Sequence, residues 1–371
     1  KMNKEEIFQL LKSINYPGYN RDIVSFGIVQ DIVISGNAVA LKLNIQADQK
    51  VINTLKDDLH LMFQKNYKDI TLSIDLIKDN NQKQKIVSDI PALKNVKNII
   101  AIASGKGGVG KSTTTVNLAT VLSEKLKVGI LDLDIYGPSL PTALGCLERP
   151  KINENQQLVP IQKNGMKLMS FGFLNDKSAP TIWRGPMVSR MTQQFFEQVD
   201  WGDLDILLLD LPPGTGDIQL TLVQQIALSG AIIVTTPQDL ALLDVKKASD
   251  MFNKLNTPIL GVVENMSNLL LKGEVTDING QTISKGILKI NDKEYNINDG
   301  FFSINLEIFK GQGGKDESFR LNVPLLSQIP IDSDLALCTD LGTPYVHKHK
   351  NTYTRSCYDK IAEQIINKLE K

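Results

Sequence analysis

The chain is poor in the residues that bind metals or cross-link. Its 371 residues include three Cys and three His. Cys146, Cys338 and Cys357 are far apart in sequence, which excludes a disulfide framework and suits a reducing compartment. The histidines, His60, His347 and His349, offer only one closely spaced pair, near the tail. Net charge is absent too: Lys+Arg and Asp+Glu both number 41. A neutral total argues against broad electrostatic attraction to nucleic acid or anionic lipid, so neither is an expected partner. No apolar run approaches the ~20 residues that a membrane span requires. The opening "KMNKEEIFQLLK" has no apolar signal block and too many acids for a transit peptide, which reads as a cytoplasmic protein.

What is present is an ordinary globular composition, 42% hydrophobic and 22% charged, long enough for two or three domains. Residues 3–13 read as a short helix. "GIVQDIVISGNAVALKLNI" reads as a hairpin around "SGN", 49–64 as a helix with apolar residues four apart, and "DITLSIDLI" as a third strand. These make a small α+β domain, 1–78, followed by a polar linker, 79–97. From Asn98 nearly all-apolar runs at 98–103, 127–132, 205–210, 231–236 and 259–264 alternate with helical patterns at 111–125, 187–198, 217–228 and 240–255. That alternation predicts an α/β domain over 98–346, its mostly parallel sheet covered by helices on both faces. "LVPIQKNGMKLMS" predicts a hairpin turning at Asn164-Gly165. Residues 269–308 are too long for a connection and alternate apolar with polar, so they read as an inserted β-hairpin or small meander. An amphipathic helix fills 347–371.

The chemistry is concentrated in "GKGGVGKST", Gly105–Thr113, which follows the apolar run "NIIAIAS". It has P-loop spacing between a strand and a helix, and makes the domain a P-loop NTPase. Gly105, Gly107, Gly108, Val109 and Gly110 let backbone N–H groups converge on phosphate oxygens; Thr113 continues the cradle into the helix. Lys111 should reach the outer phosphates of ATP, and Ser112 should ligate Mg²⁺. Asp210 ends the apolar strand of "DILLLDLPPGTGD" and supplies the carboxylate of the magnesium shell. Asp132 and Asp134 in "LDLDIYGPS" end a neighbouring strand; one orients the attacking water and the other supports the metal shell, with Asp134 preferred for the water because it lies further into the loop. Lys106 is a second lysine where a P-loop needs one. It is either a solvated loop residue or a finger that reaches a facing subunit's nucleotide.

"SGKGGVGKST" resembles the deviant P-loop of the MinD/ParA class of dimeric ATPases. "DLDIYGPSLP", "WRGPMVSRMTQQF", "LLLDLPPGTGD", "TTPQDLALLDVKKA", "GVVENMS" and "PLLSQIPID" resemble, in order, the Mrp/ApbC family of iron–sulfur cluster carriers. "RDIVSFGIVQDIVI" resembles the small iron–sulfur-assembly domain often fused to that family. The resemblance implies ATP, Mg²⁺, a homodimer facing through the nucleotide, Lys106 acting across it, Asn265 at the adenine, and iron–sulfur client or assembly proteins as partners.

The chain departs from that family where the cargo would bind. A Cys-x-x-Cys pair is expected shortly after "ENMS"; here the sequence runs "ENMSNLLLKGEVTDINGQ" into the insertion, and no iron–sulfur ligand is identified. Ala47 and Asp48 stand where the small domain's relatives have Cys-Pro. Glu274, Asp277, Asp292 and Glu294 in the insertion read as solvated turn residues. Three outputs stay open: a cluster carrier, an ATP-driven switch or scaffold that has lost the cluster, and a MinD/ParA-like positioning ATPase. The last is disfavoured by a tail that mixes acids with bases.

Overall fold

A computed structural model describes every residue except 1–2, 16, 18–21, 25–27, 44, 46–48, 68–69, 77–89, 136, 175–184, 215–218, 220–225, 239–241, 291 and 371. The chain divides into two compact units, Lys1–Lys85 with Phe319–Asn322, and Ile86–Ser318 with Val323–Lys371.

In the first unit a helix spans Lys4–Leu11. It starts at a capping box in which Asn3 Oδ1 accepts from the Glu6 amide at 2.8 Å and Glu6 accepts from the Asn3 amide at 3.4 Å. The hairpin joins β1 (Val29–Ser35) to β2 (Ala38–Leu43), with Gly36 at φ +60° in its turn. A helix, Gln49–Asn66, then carries the chain across to β3 (Thr71–Leu76), which pairs parallel to β2. Ile7, Leu11, Val39, Leu41, Leu55, Leu59 and Phe63 fill the core between sheet and helices. The expected boundary at 78, and Ala47 and Asp48, lie outside the described residues.

The second unit begins with β4 (Val96–Ala103), which leads through the P-loop into the helix Lys111–Leu122. β5 (Val128–Asp132) follows, then a two-stranded ribbon of β6 (Lys151–Ile152) and β7 (Leu158–Val159). The Asn164-Gly165 turn, with φ of 49° and 75°, joins β8 (Ile161–Lys163) to β9 (Met166–Ser170). Next come β10 (Leu204–Asp210), β11 (Gly230–Thr235) and β12 (Ile259–Glu264). The insertion contributes β13 (Leu269–Glu274), β14 (Lys285–Ile290), β15 (Lys293–Asn298) and β16 (Phe301–Leu306), and β17 (Leu325–Gln328) completes the main sheet.

That sheet has the order β17-β12-β11-β4-β10-β5-β9-β8, parallel except where β8 meets β9. Both of its faces are buried: Ile100, Ile102, Ile206 and Leu208 point one way, Ile99, Ala101, Leu207 and Leu209 the other. Double burial is why these strands read as unbroken apolar runs. β4 lies where the chain changes direction, going first to β5 on one side and later to β11 and β12 on the other. The carboxyl ends of strands around such a point form the crevice in which doubly wound sheets bind ligands.

Helices Gly185–Glu197 and Leu242–Lys254 fall close to the predicted spans, and most of the predicted helix at 217–228 lies outside the described residues. β9 is the second arm of the predicted hairpin, and its parallel pairing with β5 is new; β17 was not expected as a strand. β17 has four residues between Pro324 and Pro330, too short to show a period. The insertion is neither a lone hairpin nor a simple meander. It is a four-stranded antiparallel sheet ordered β13-β16-β15-β14, because β13 pairs with β16 along its full length.

The helix Tyr353–Leu369 starts at Thr352, whose hydroxyl accepts from the Arg355 amide, and packs on both the P-loop helix and β17. β17 is the edge of the sheet. Its Leu326 carbonyl accepts from Gln364 Nε2 at 2.9 Å and its Gln328 carbonyl from the Cys357 thiol at 3.4 Å. Arg355, 7% exposed, bonds Glu124 at 2.8 Å, Asp359 at 2.8 Å and the Val346 carbonyl at 2.8 Å.

Candidate nucleotide site

The loop Gly105–Gly110 leaves the carboxyl end of β4 and enters the buried helix at Lys111. Two of its glycines are required by conformation, with Gly108 at φ +79° and Gly110 at φ +81°. A third is required by space: a Cβ on Gly105 would lie 2.3 Å from the Asp244 backbone. Asn265, just past β12, donates its side-chain amide to the Val109 carbonyl at 2.9 Å. This bond ties the P-loop to the end of β12, at the residue expected to contact the adenine.

Three neighbouring strands bring their last residues together. Asp132 of β5 is in register with Asp210 of β10 on one side and Ser170 of β9 on the other. Lys111 Nζ pairs with Asp210 Oδ1 at 2.6 Å, and both side chains are nearly inaccessible, 6% and 3% exposed. Thr115 Oγ1 donates to the same Asp210 oxygen at 3.1 Å. A lysine ammonium has three donors. Two of them meet Asp210 Oδ1 and Ser112 Oγ, the latter at 3.3 Å, and the third finds no acceptor among the described residues. A buried ammonium with a spare donor, at a glycine cradle and a helix start, fits a phosphate oxygen. Ser112 and Asp210 beside it are the hard oxygen donors that Mg²⁺ prefers.

Asp132 is fully buried and behaves differently. Its Oδ1 accepts from the Asp134 amide at 3.0 Å, and its Oδ2 from Ser170 Oγ at 2.8 Å and the Leu140 amide at 3.3 Å. Burial, and next the charge of Asp210, push its pKa up to about 7. Lys111 already neutralises Asp210, so a charged Asp132 would add an uncompensated negative charge to a dry site. Beside the expected roles at the water and the metal shell, this carboxylate holds the loop that follows it. Asp134 is half-buried, and its Oδ1 accepts from the Gly137 amide at 3.1 Å.

Lys106 is half-buried and donates to Gln238 Oε1 of its own chain at 3.1 Å, so here it does not extend away from its own loop. Sequence reasoning missed Gln238, Thr115 and Ser170. Only the "TTPQ" run hinted at the first, and the other two are single hydroxyl residues without a motif. Gly214 follows Asp210 into the loop and anchors it by donating its amide to the Ser104 carbonyl at 3.1 Å.

The family of NUBPL iron-transfer P-loop NTPases matches residues 95–297, and the iron–sulfur cluster assembly protein family matches 4–60. The iron–sulfur cluster carrier protein of Helicobacter pylori is 34% identical over 100% of this chain and 94% of its own length. This chain belongs to the iron-transfer P-loop NTPase family. Within that family, the iron–sulfur cluster transfer protein NUBPL of Dictyostelium discoideum is 40% identical over 75% of this chain and 79% of its own. A nucleotide-binding protein of Archaeoglobus fulgidus, solved in complex with ADP, superposes with a TM-score of 0.53 at 34% identity, covering 69% of this chain and 90% of that one. The cell division ATPase MinD of Pyrococcus furiosus shares the fold, with a TM-score of 0.50 at 21% identity over 73% of this chain and 99% of its own.

The thiols of this iron-transfer NTPase lie in its interior. Cys146, Cys338 and Cys357 are all buried, and burial raises the pKa of each. A buried protonated thiol is a poor metal ligand. Among the described residues no group of three or more His, Cys, Asp or Glu is placed to hold a metal ion. Asp277 accepts from the Asn279 and Gln281 amides within its turn, and Glu294 pairs with Lys289 at 2.7 Å. The His349 ring stacks on Tyr345 at 4.6 Å. No helix among the described residues is long and apolar enough to cross a membrane.

Proposed function

We propose that this chain binds Mg-ATP at the P-loop and hydrolyses it as a homodimeric carrier or scaffold in iron–sulfur cluster assembly and transfer. The observation that carries the reading is the buried Lys111–Asp210 pair beneath the glycine cradle, in a chain of the iron-transfer family. Gly105 to Thr113 would hold the phosphates, with Lys111 turning its free donor to them. Ser112 and Asp210 would hold Mg²⁺, which supplies charge neutralisation on the transferred phosphoryl group. Asp134 would orient the attacking water. Lys106 would leave Gln238 and neutralise charge at a facing subunit's nucleotide, in a cytoplasmic protein whose partners are cluster clients.

A second reading shares the ATPase and differs in the cargo. It is favoured by the burial of all three cysteines and by the four-stranded sheet that fills the space after Asn265. On that reading the chain is an ATP-driven scaffold, and any cluster is held by a partner's thiolates. One experiment tests both: ATP turnover by the wild type and Lys111→Ala, with iron and sulfide counted per dimer after anaerobic reconstitution. Turnover that vanishes in Lys111→Ala, with a stoichiometric cluster, supports the carrier. Turnover without a cluster supports the scaffold. A wild type that neither binds nor hydrolyses ATP refutes both.

A further inference from the structure

The segment from Asp132 to Leu140 is closed on one carboxylate. Asp132 Oδ1 takes the Asp134 amide at its start, and Oδ2 takes the Leu140 amide at its end. Asp134 is itself the first anchor through its own amide, so its position follows the orientation of the Asp132 carboxylate. That orientation is fixed from the neighbouring strand. Ser170 is in register with Asp132, is inaccessible, and donates its hydroxyl proton to Oδ2 at 2.8 Å. The hydroxyl oxygen in turn accepts from the Gly172 amide at 2.9 Å, which leaves its proton committed to Asp132. Each Asp132 oxygen thus accepts at least one bond from this loop or from Ser170.

We propose that Ser170 is a positioning residue for ATP hydrolysis: its hydroxyl sets the Asp132 carboxylate, which in turn sets the loop that carries Asp134. The assignment rests on the ATPase reading above and adds a residue at the end of β9 to it. Ser170 bonds Asp132 and the Gly172 amide rather than the phosphate loop. Its effect belongs to the chemical step, because a small displacement of a water-orienting group slows turnover while leaving the phosphate cradle intact.

The test compares Ser170→Ala, Ser170→Thr, Asp134→Ala and Ser170→Ala/Asp134→Ala in steady-state ATP turnover, with amide hydrogen exchange on the nucleotide-free proteins. In Ser170→Ala we expect kcat to fall about tenfold or more with KM for ATP within about twofold of wild type. The double variant should be no slower than Asp134→Ala alone, since both act through one group. The Asp134 and Leu140 amides should exchange faster in Ser170→Ala, and the hydroxyl kept in Ser170→Thr should restore their protection. A fall in kcat that adds in full to that of Asp134→Ala, or a KM that rises with it, overturns the assignment. So does unchanged exchange at both amides. The exchange readout stands without turnover, so an inactive wild type would sink the ATPase reading while still deciding whether Ser170 orders this loop.

Discussion

Removing Asp210 tests the site at its centre, and the structure sets the size of the effect. Asp210→Ala leaves the Lys111 ammonium, 6% exposed, without its partner at 2.6 Å. Breaking a buried pair from one side destabilises by about 3–5 kcal/mol, because the remaining charge stays buried and uncompensated. Asp132 moderates this loss. It is in register beside Asp210, and without Asp210's charge it loses one cause of its raised pKa and can ionise toward Lys111. The net loss for the nucleotide-free protein should then fall to about 2–3 kcal/mol, a drop of about 3–5 °C in Tm for a unit of this size. Blocking the escape with Asp132→Asn/Asp210→Ala should bring back the larger loss. A non-hydrolysable ATP analogue should return part of the stability of Asp210→Ala, since a phosphate oxygen replaces the lost carboxylate and ligand binding adds RT ln(1 + [L]/Kd). Differential scanning calorimetry with and without the analogue measures both quantities. An Asp210→Ala protein that melts with the wild type in the absence of nucleotide would show that the pair does not carry the site. One that the analogue fails to stabilise would show that Lys111 does not turn to phosphate.

Lys106→Ala should bind nucleotide with wild-type affinity, yet lose most turnover and any ATP-dependent dimer closure; turnover at the wild-type rate would exclude a role for this amine across the interface. The raised pKa of Asp132 makes the native state bind a proton that the unfolded state releases. Its contribution to stability is therefore full below the ordinary carboxylate pKa near 3.9 and is lost as pH rises to about 7 and beyond. Asp132→Asn, which cannot ionise, should be more stable than wild type at pH 8, by about 1–3 kcal/mol relative to its difference at pH 5, in urea denaturation of the nucleotide-free protein. A difference that does not grow between those two pH values would refute the buried-acid account. Asn265→Ala should weaken nucleotide binding several-fold by freeing the Val109 carbonyl, a loss of about 1 kcal/mol measurable by calorimetric titration.

The phosphate cradle was legible in sequence because its glycines are irreplaceable. Gly108 and Gly110 occupy φ values that other residues avoid, and Lys111 and Ser112 follow at fixed positions. The central strands were legible because burial on both faces leaves little but apolar residues. What escaped detection depends on contacts between residues far apart in the chain. Asp132 is a strand-end acid by sequence, and only its registry with Ser170 and Asp210 makes it a buried clamp. Asn265 reads as a turn residue or a base contact, and its bond to a carbonyl 156 residues earlier has no trace in the sequence. Lys106 is conspicuous in the motif, but its pairing with Gln238 joins two segments 132 residues apart, and the "TTPQ" run does not show that they meet. The pairing of β13 with β16 was hidden for the same reason: alternation marks strands and is silent on which of them meet.

The helix Tyr353–Leu369 has a consequence for the order in which this protein is made. It bonds the free carbonyls of β17 through Gln364 and Cys357, and it seats Tyr358, fully buried, against the P-loop helix. Every strand of the main sheet leaves the ribosome before these residues do. Until they follow, the nascent sheet displays an open edge, a template for joining another chain, and the first helix after the phosphate loop lacks its cover. The seal over the edge and the completion of the nucleotide-binding core are thus a single late event in biosynthesis. A nascent chain stalled before Tyr353 should be the form that needs a chaperone, however many of its strands have already formed.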